Sequence, residues 1–261
     1  MLNQNEIENC RNKLIALRCC VIVPTYNNDS TLLFVLNAVH SLTAQIIVVN
    51  DGSTDSTSTL LAPYEQLFSV CTCPKNAGKG IALQVGFEKA LKEGYNYAIT
   101  IDSDGQHFAE DIISFIEQIE KKPQTLLVGA RNLQEKNMPK KNTFGNKFSN
   151  FWFWFATGIK LPDTQSGFRL YPLDLIKGIH FFTSKFEFEL EVLVKSAWQG
   201  VTILPVPIKI FYAKGHDRVS HFRPGADFMR ISFLNIYLVS LALIWHHPKL
   251  VIRKLFGFNK P

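Results

Sequence analysis

Asp102 and Asp104 stand two residues apart at the end of an apolar run, in Ile101-Asp102-Ser103-Asp104-Gly105-Gln106. If the run is a strand, side chains at i and i+2 leave the same face, so both carboxylates can converge on one divalent cation. Oxygen ligands select Mg2+ or Mn2+ over zinc, and Gln106 can add a neutral oxygen. Mg2+ is usually held by one or two carboxylates plus substrate phosphates, which suits so short a ligand set. Asp-x-Asp is also common in exposed turns, here one leading into a helix at Ala109. Its place after a buried run favours the metal.

Three more segments have the same form. Residues 48–55, Val-Val-Asn-Asp-Gly-Ser-Thr-Asp, read as a strand-to-helix junction. Asp51 there can accept hydrogen bonds from a base or ribose, and Thr54 or Asp55 can cap the next helix. Residues 23–27, Val-Pro-Thr-Tyr-Asn, can form a wall of the same pocket. In Asn76-Ala77-Gly78-Lys79-Gly80 the glycines let backbone approach a phosphate at a helix N-terminus, and Lys79 adds charge. The Gly-x4-Gly-Lys-Ser/Thr spacing of a P-loop is missing. No Gly-x-Gly-x-x-Gly occurs, which disfavours a dinucleotide-dependent dehydrogenase.

The elements that would position these residues follow from the apolar pattern. Strands are expected at 19–23 (closed by Pro24), 46–49, 67–70, 97–101 and 125–128. Helices are expected at 31–39 (capped by Asp29 or Ser30), 54–61, 80–91 and 109–120. Short strands alternating with helices point to an α/β fold with a mostly parallel, doubly wound sheet. In such sheets ligands bind beyond the carboxyl ends of the strands, where the four segments fall.

The chain has 261 residues, 46% hydrophobic and 19% charged, enough for a substantial core and too apolar for disorder. Fifteen Gly and 12 Pro without a repeat exclude a collagenous chain. A net charge of +6 suits an anionic partner. The five cysteines, Cys10, Cys19, Cys20, Cys71 and Cys73, show no disulfide framework and read as reduced thiols in a reducing compartment. No signal peptide is expected in residues 1–18, which lack an apolar core.

The second half is more aromatic. A helix over 146–157 would carry Phe148 and the run Phe151-Trp152-Phe153-Trp154-Phe155, which at 100° steps points all around the axis. Such a helix is either wholly buried or lies at a bilayer interface, where Trp is enriched. A helix is expected at 186–198 and an edge strand with two prolines at 201–212. Residues 231–245 span about 22 Å as a helix, short of a bilayer core of roughly 30 Å, so an in-plane or re-entrant helix is expected. Lys249, Arg253 and Lys254 follow among apolar residues, a pattern that suits anionic headgroups or an ordinary docking helix.

Eight segments occur together in a family order: VIVPTYNN, VVNDGSTDST, KNAGKG, TIDSDGQH, GAR (129–131), DTQSGFRLYP (163–172), FEFELE (186–191) and DRVSHFRP (217–224). In these the chain resembles the family 2 glycosyltransferases of the GT-A fold, most closely the polyprenyl-phosphate, dolichol-phosphate mannose synthase-like branch. The resemblance implies a GT-A domain over 1–225, with apolar and basic C-terminal helices over 226–261 at a membrane. It implies that Pro24, Tyr26, Asn27, Asp51, Lys79 and Arg131 surround a UDP- or GDP-linked sugar. Asp102, Asp104 and Gln106 would hold Mg2+ or Mn2+ on the diphosphate. Arg131, Ser166 and Arg169 would line the acceptor side, and Arg218 and Ser220 would close over phosphate. Asn28 stands where many relatives carry Glu. The Gln-x-x-Arg-Trp motif of processive synthases is absent.

The implied reaction is inverting transfer of the sugar to a lipid-linked acceptor, foremost a polyprenyl phosphate, at the cytoplasmic face of a membrane. A phosphate oxygen is already anionic and needs no base. A hydroxyl acceptor, on a glycolipid or glycan, would need one, and Glu187 or Glu189 is the candidate, with Asp163 behind. The plainer reading of those glutamates is an acidic helix start. Two other classes compete. A sugar nucleotidyltransferase would carry a Gly-rich, Arg-containing segment where Pro24-Thr25-Tyr26-Asn27 stands. A non-catalytic binding module would not need the intact Asp-x-Asp. No nucleic-acid partner is expected, since no basic and aromatic cluster forms a known motif.

Overall fold

The computed structural model describes residues 2–132, 140–211 and 224–248. The first helix, Gln4–Ala16 (α1), stands where the sequence reads as merely polar. It is started by a reciprocal cap: Asn3 Oδ1 accepts from Glu6 N–H, and Glu6 Oε2 accepts from Asn3 N–H. Cys10 and Leu14 are its buried anchors.

Cys19–Thr25 (β1) is buried along its whole length. Cys19, Val21 and Val23 enter one core layer, and Cys20 and Ile22 the other. Both faces are covered, so the strand reads as continuously apolar rather than alternating. Pro24 does not end it. The pairing of β1 with Tyr97–Thr100 (β4) stops at Ile22, so the missing proline N–H falls where no partner remains. On its other side β1 pairs in parallel with Ile46–Asn50 (β2), and β2 with Ser69–Thr72 (β3), two residues later than the expected strand.

Leu32–His40 (α2) is capped by neither Asp29 nor Ser30. The Asp29 carboxylate accepts instead from Ser56 Oγ at 2.5 Å. Thr57–Leu61 (α3) starts three residues later than expected, with Asp55 Oδ1 accepting from Thr57 N–H at 3.0 Å. Lys79–Lys92 (α4) and Ile112–Lys121 (α5) lie close to expectation, although residues 109–111 form a 3-10 turn.

Thr125–Arg131 (β5) does not sit beside β4. Arg169–Pro172 (β6), from the segment DTQSGFRLYP, inserts between them and runs antiparallel to both. No hydrophobic run announces this strand. Thr202–Ile208 (β7) pairs in parallel with β5, giving the order β3-β2-β1-β4-β6-β5-β7 among the described residues. The sheet is mixed and mostly parallel. β7 is the edge expected from its prolines: Pro205 and Pro207 share one parity, so both missing N–H groups face the outer side, which blunts strand addition.

Lys140–Thr157 (α6) is not wholly buried. Phe153 is fully enclosed, whereas Phe151 is 50% and Trp154 40% exposed. After the short helix Leu173–Ile176 (α7) comes Phe188–Trp198 (α8), most of whose residues are buried. Pro224–Leu241 (α9) continues through a π turn to His246. This helix is longer than the apolar stretch alone suggested: 20 residues, 227–246, are long and apolar enough to cross a membrane. Leu234, Leu238 and Ala242 nevertheless pack into the core layer built on α4, α6 and α8, and His246 stacks on Trp198. The opposite face, including Phe233, Ile236, Leu243, Ile244 and Trp245, is exposed.

Candidate active site

The carboxyl ends of β2, β1 and β4 meet where successive strands depart in opposite directions from β1. Such a switch point opens a crevice. The loops that edge it are tied together by side chains. Asn27, at φ 42°, accepts from Thr54 N–H at 2.7 Å and donates its own N–H to Ser53 Oγ, fastening the loop after β1 to the loop after β2. Asparagine tolerates this left-handed backbone better than most residues. Asn28 does the same towards β4. Its buried Nδ2 donates to Ser103 O at 2.6 Å and Ser103 Oγ at 3.0 Å, and its Oδ1 accepts from Thr31 Oγ1. The Asn28 amide is thereby a clamp on the residue between Asp102 and Asp104.

Asp51 is 3% exposed. Its two carboxylate oxygens accept from the N–H groups of Ala77 and Gly78, each at 2.8 Å. Burial pushes its pKa up, and these two hydrogen bonds oppose the shift. The carboxylate therefore shapes the turn that carries Lys79. That turn needs glycine: Gly78 has φ 101°, and a Cβ there would lie 2.6 Å from Ser184 O. Pro24 is buried at the end of β1, and Tyr26 is half-buried beside it.

Lys79 opens α4 and reaches across to β4. Its Nζ lies 2.7 Å from Asp102 Oδ1 and 3.2 Å from Glu189 Oε1. Burial would lower the Lys79 pKa, but the two carboxylates hold it above its ordinary value. Burial would likewise raise Asp102, but the ammonium keeps it below the usual carboxylate range. Asp104 Oδ1 accepts from Gln106 N–H at 3.0 Å, and Gly105, at φ 71°, makes the turn between them. Gln106 O in turn accepts from Phe211 N–H at 2.8 Å.

Among the described residues no group of three His, Cys, Asp or Glu gathers closely enough to hold a metal alone. Asp102, Asp104 and Gln106 follow one another from one strand end, and Asp102 already attracts a cation, the Lys79 ammonium. An oxygen set of this kind, incomplete until phosphate joins it, fits Mg2+ or Mn2+.

Gly167 passes directly over the ion pair. A Cβ there would lie 2.6 Å from Asp102 Oδ2 and 2.7 Å from Lys79 Nζ. Only side-chain ends would have to move, so Gly167→Ala is expected to change stability by about 1 kcal/mol or less. The same substitution should lower kcat/KM at least about tenfold by displacing those two groups. Thermal melts and donor turnover on one preparation check both halves.

Arg131, at the end of β5, forks onto Asp163, with Nη2 3.0 Å from Oδ1. Asn146 of α6 donates to the same oxygen at 2.6 Å. Burial would raise Asp163, but the Arg131 hydrogen bonds and charge hold it below the usual range. Ser166 is buried, its Oγ accepting from Phe168 N–H. Arg169 is completely enclosed and donates to three carbonyls: Ser166 at 2.7 Å, Glu189 at 2.6 Å and Thr164 at 3.0 Å. In this geometry it braces the floor of the site rather than offering a donor at its surface. Glu187 is buried, and its Oε2 has no hydrogen-bond partner among the described residues. Arg218 and Ser220 lie outside the described residues.

Two residues were not singled out from the sequence. Glu191, fully buried on α8, accepts from Phe182 N–H, Thr183 N–H and Thr183 Oγ1, and pairs with Lys195. It fixes the strand of chain that abuts Gly78. His107 is buried against Phe168, its Nδ1 unpartnered among the described residues. Burial pushes its pKa down to about 4; Asp102 opposes this, while Arg131 and Lys79 add to it. Between the unfolded value of about 6.5 and about 4, the unfolded chain binds a proton that the folded chain does not. The stability contributed by neutral His107 is thus complete above pH 6.5 and is lost as pH falls through 4, by about 3 kcal/mol. Urea unfolding across this window should show the decline, and His107→Phe should flatten it.

The family model for "Glycosyl transferase family 2" matches residues 20–179. The chain is 28% identical over 204 residues to a polyprenol monophosphomannose synthase of Mycolicibacterium smegmatis, covering 73% of this chain and 76% of that protein. It is 30% identical over 215 residues to a UDP-N-acetylglucosamine–dolichyl-phosphate N-acetylglucosaminyltransferase of Methanococcus voltae, covering 74% and 86%. Its fold is similar to that of glucosyl-3-phosphoglycerate synthase from Mycobacterium tuberculosis, solved with Mn2+ and UDP-glucose. That likeness has a TM-score of 0.65 at 16% identity, over 90% of this chain and 82% of the other. The matched region contains the ends of β1, β2 and β4, with Asp51, Lys79, Asp102 and Asp104. This chain belongs to glycosyl transferase family 2 and is a glycosyltransferase.

Proposed function

We propose that this enzyme moves a sugar from a UDP- or GDP-linked donor to a polyprenyl phosphate, with inversion at the anomeric carbon. The observation that carries the reading is the cluster at the end of β4, where Asp102 and Lys79 pair beneath Gly167 and beside Asp104. Pro24, Tyr26, Asn27 and Asp51 form the nucleotide side, and the turn at Gly78 brings backbone and Lys79 towards the diphosphate. Mg2+ or Mn2+, when held by Asp102, Asp104 and Gln106, supplies positive charge to the departing diphosphate. Lys79 contributes charge to the same oxygens. Arg131 and Ser166 lie on the acceptor side, with Arg169 below them. Arg218 and Ser220 are assigned to phosphate by the motif alone.

A phosphate acceptor attacks with an oxygen that is already anionic, so no proton needs removing. Glu189, tied to Lys79, is then free of any role as base. A hydroxyl acceptor would need one, with Glu187 or Glu189 as the candidate; Glu187 Oε2, which has no hydrogen-bond partner among the described residues, supports the former.

The acceptor is lipid-linked in this reading, and the surface is consistent with it. The outer face of α9 and the exposed Phe151 and Trp154 of α6 would lie on the cytoplasmic side of an anionic membrane. One side of α9 is packed along α6 and α8, and in this reading the helix lies in the membrane plane with its other face in lipid. In this reading residues 1–225 are the catalytic part and 226–261 the membrane-facing part, of which 249–261 lie outside the described residues. Ile244→Glu with Trp245→Glu is expected to weaken sedimentation with anionic vesicles at least about tenfold, since two large apolar side chains lose their burial in lipid.

The reading is tested by incubating the protein with UDP- and GDP-sugars and Mn2+, with and without a polyprenyl phosphate, and following released nucleotide. Release that depends on the lipid phosphate supports it. Transfer to a glycan hydroxyl with the lipid phosphate inert would replace it with the second acceptor class.

A further inference from the structure

Lys79 is confined more tightly than a phosphate-binding lysine requires. Its side chain is 15% exposed, its ammonium lies between Asp102 and Glu189, and the Phe186 ring stands 5.9 Å away. The backbone at Gly167 closes the remaining side. Asp102 is one of the two carboxylates assigned above to the divalent cation, whereas Glu189 comes from the first turn of α8. We propose that Lys79 is a resident counter-cation that competes with the divalent ion for Asp102, and that Glu189 is the positioning residue that retains the ammonium when Asp102 passes to the metal.

This rests on the metal-dependent reading given above. Its support is the ion-pair geometry: one ammonium lies 2.7 Å from Asp102 Oδ1 and 3.2 Å from Glu189 Oε1, and only the first of these carboxylates belongs to the candidate metal set. With the metal on Asp102 and no nucleotide bound, Glu189 is the carboxylate left to the ammonium among the described residues, and a partly buried charge without a partner is costly. Glu189 Oε1 already lies 3.2 Å away, so the ammonium need only shift its weight from one carboxylate to the other.

The test is a Mn2+ titration followed by the electron paramagnetic resonance of free Mn2+, without nucleotide and with UDP or GDP. It compares the unmodified protein, Lys79→Met, Glu189→Gln and the double variant, with thermal melts to verify folding. Lys79→Gln replaces Lys79→Met if the latter misfolds. Without nucleotide, Lys79→Met is expected to bind Mn2+ about tenfold tighter, because no ammonium has to leave Asp102. Glu189→Gln is expected to bind about tenfold weaker, because the ammonium then has Asp102 alone. Most of that defect should vanish in the double variant, since Glu189 acts through Lys79. Equal or weaker binding by Lys79→Met overturns the competition. A Glu189→Gln defect of the same size in both backgrounds overturns the positioning role. If the unmodified protein takes up no Mn2+ even with UDP or GDP, the metal reading falls along with this one.

Discussion

Asp102→Asn is expected to lower kcat/KM for sugar transfer by at least about a thousandfold while the protein stays folded. The substitution keeps the shape of the side chain and removes its charge. Lys79 retains Glu189 as a partner, 3.2 Å away, so no ammonium is left stranded. What disappears is the negative charge that faces both the ammonium and the candidate metal position. Asp104→Ala should act in the same direction, with the additional loss of the turn hydrogen bond to Gln106 N–H. Nucleotide release by both variants, compared with their thermal melts, separates a lost charge from a lost fold. Turnover within tenfold of the unmodified enzyme would remove both residues from the chemistry.

The largest effect on stability is expected at Arg169. Its guanidinium donates to the carbonyls of Thr164, Ser166 and Glu189, all inside the protein. Arg169→Met fills similar space and satisfies none of them. Three buried acceptors would lose their donors at once, a cost of about 3–5 kcal/mol. Arg169→Lys should rescue little, because one ammonium does not reproduce the planar fork that spans three acceptors. Urea unfolding measures both variants, and a loss below about 1 kcal/mol for Arg169→Met would contradict the bracing role.

The central strands were legible because burial on both faces leaves an unbroken apolar run, as in Cys19–Thr25. The chemistry was legible for a related reason. Polar residues directly after such runs, Asn50-Asp51 and Asp102-Ser103-Asp104, have to fall at the carboxyl ends of strands. β6 was not legible as a strand. Arg169–Pro172 contains a buried arginine and a proline, and its place between β4 and β5 is fixed by tertiary pairing. Arg169 itself looks like a phosphate ligand until its three carbonyl partners are seen. Asn28 looked like the loss of a ligand, whereas its amide clamps Ser103 from another loop, a contact 75 residues away in sequence. Glu191 gave no signal beyond being one acid in a run of three, because its partners are backbone N–H groups. The length of α9 was underestimated because its first turns, 224–230, are polar enough to hide the helix from an apolar scan.

The most direct measurement is the structure of this enzyme with a nucleotide-diphosphate sugar and Mn2+. The account predicts the diphosphate at the carboxyl end of β4, bridged by the ion to Asp102 and Asp104, with the Lys79 ammonium turned from Asp102 towards Glu189 and the phosphate oxygens. A donor seated elsewhere, with Lys79 still paired to Asp102 and no ion on either aspartate, would contradict it.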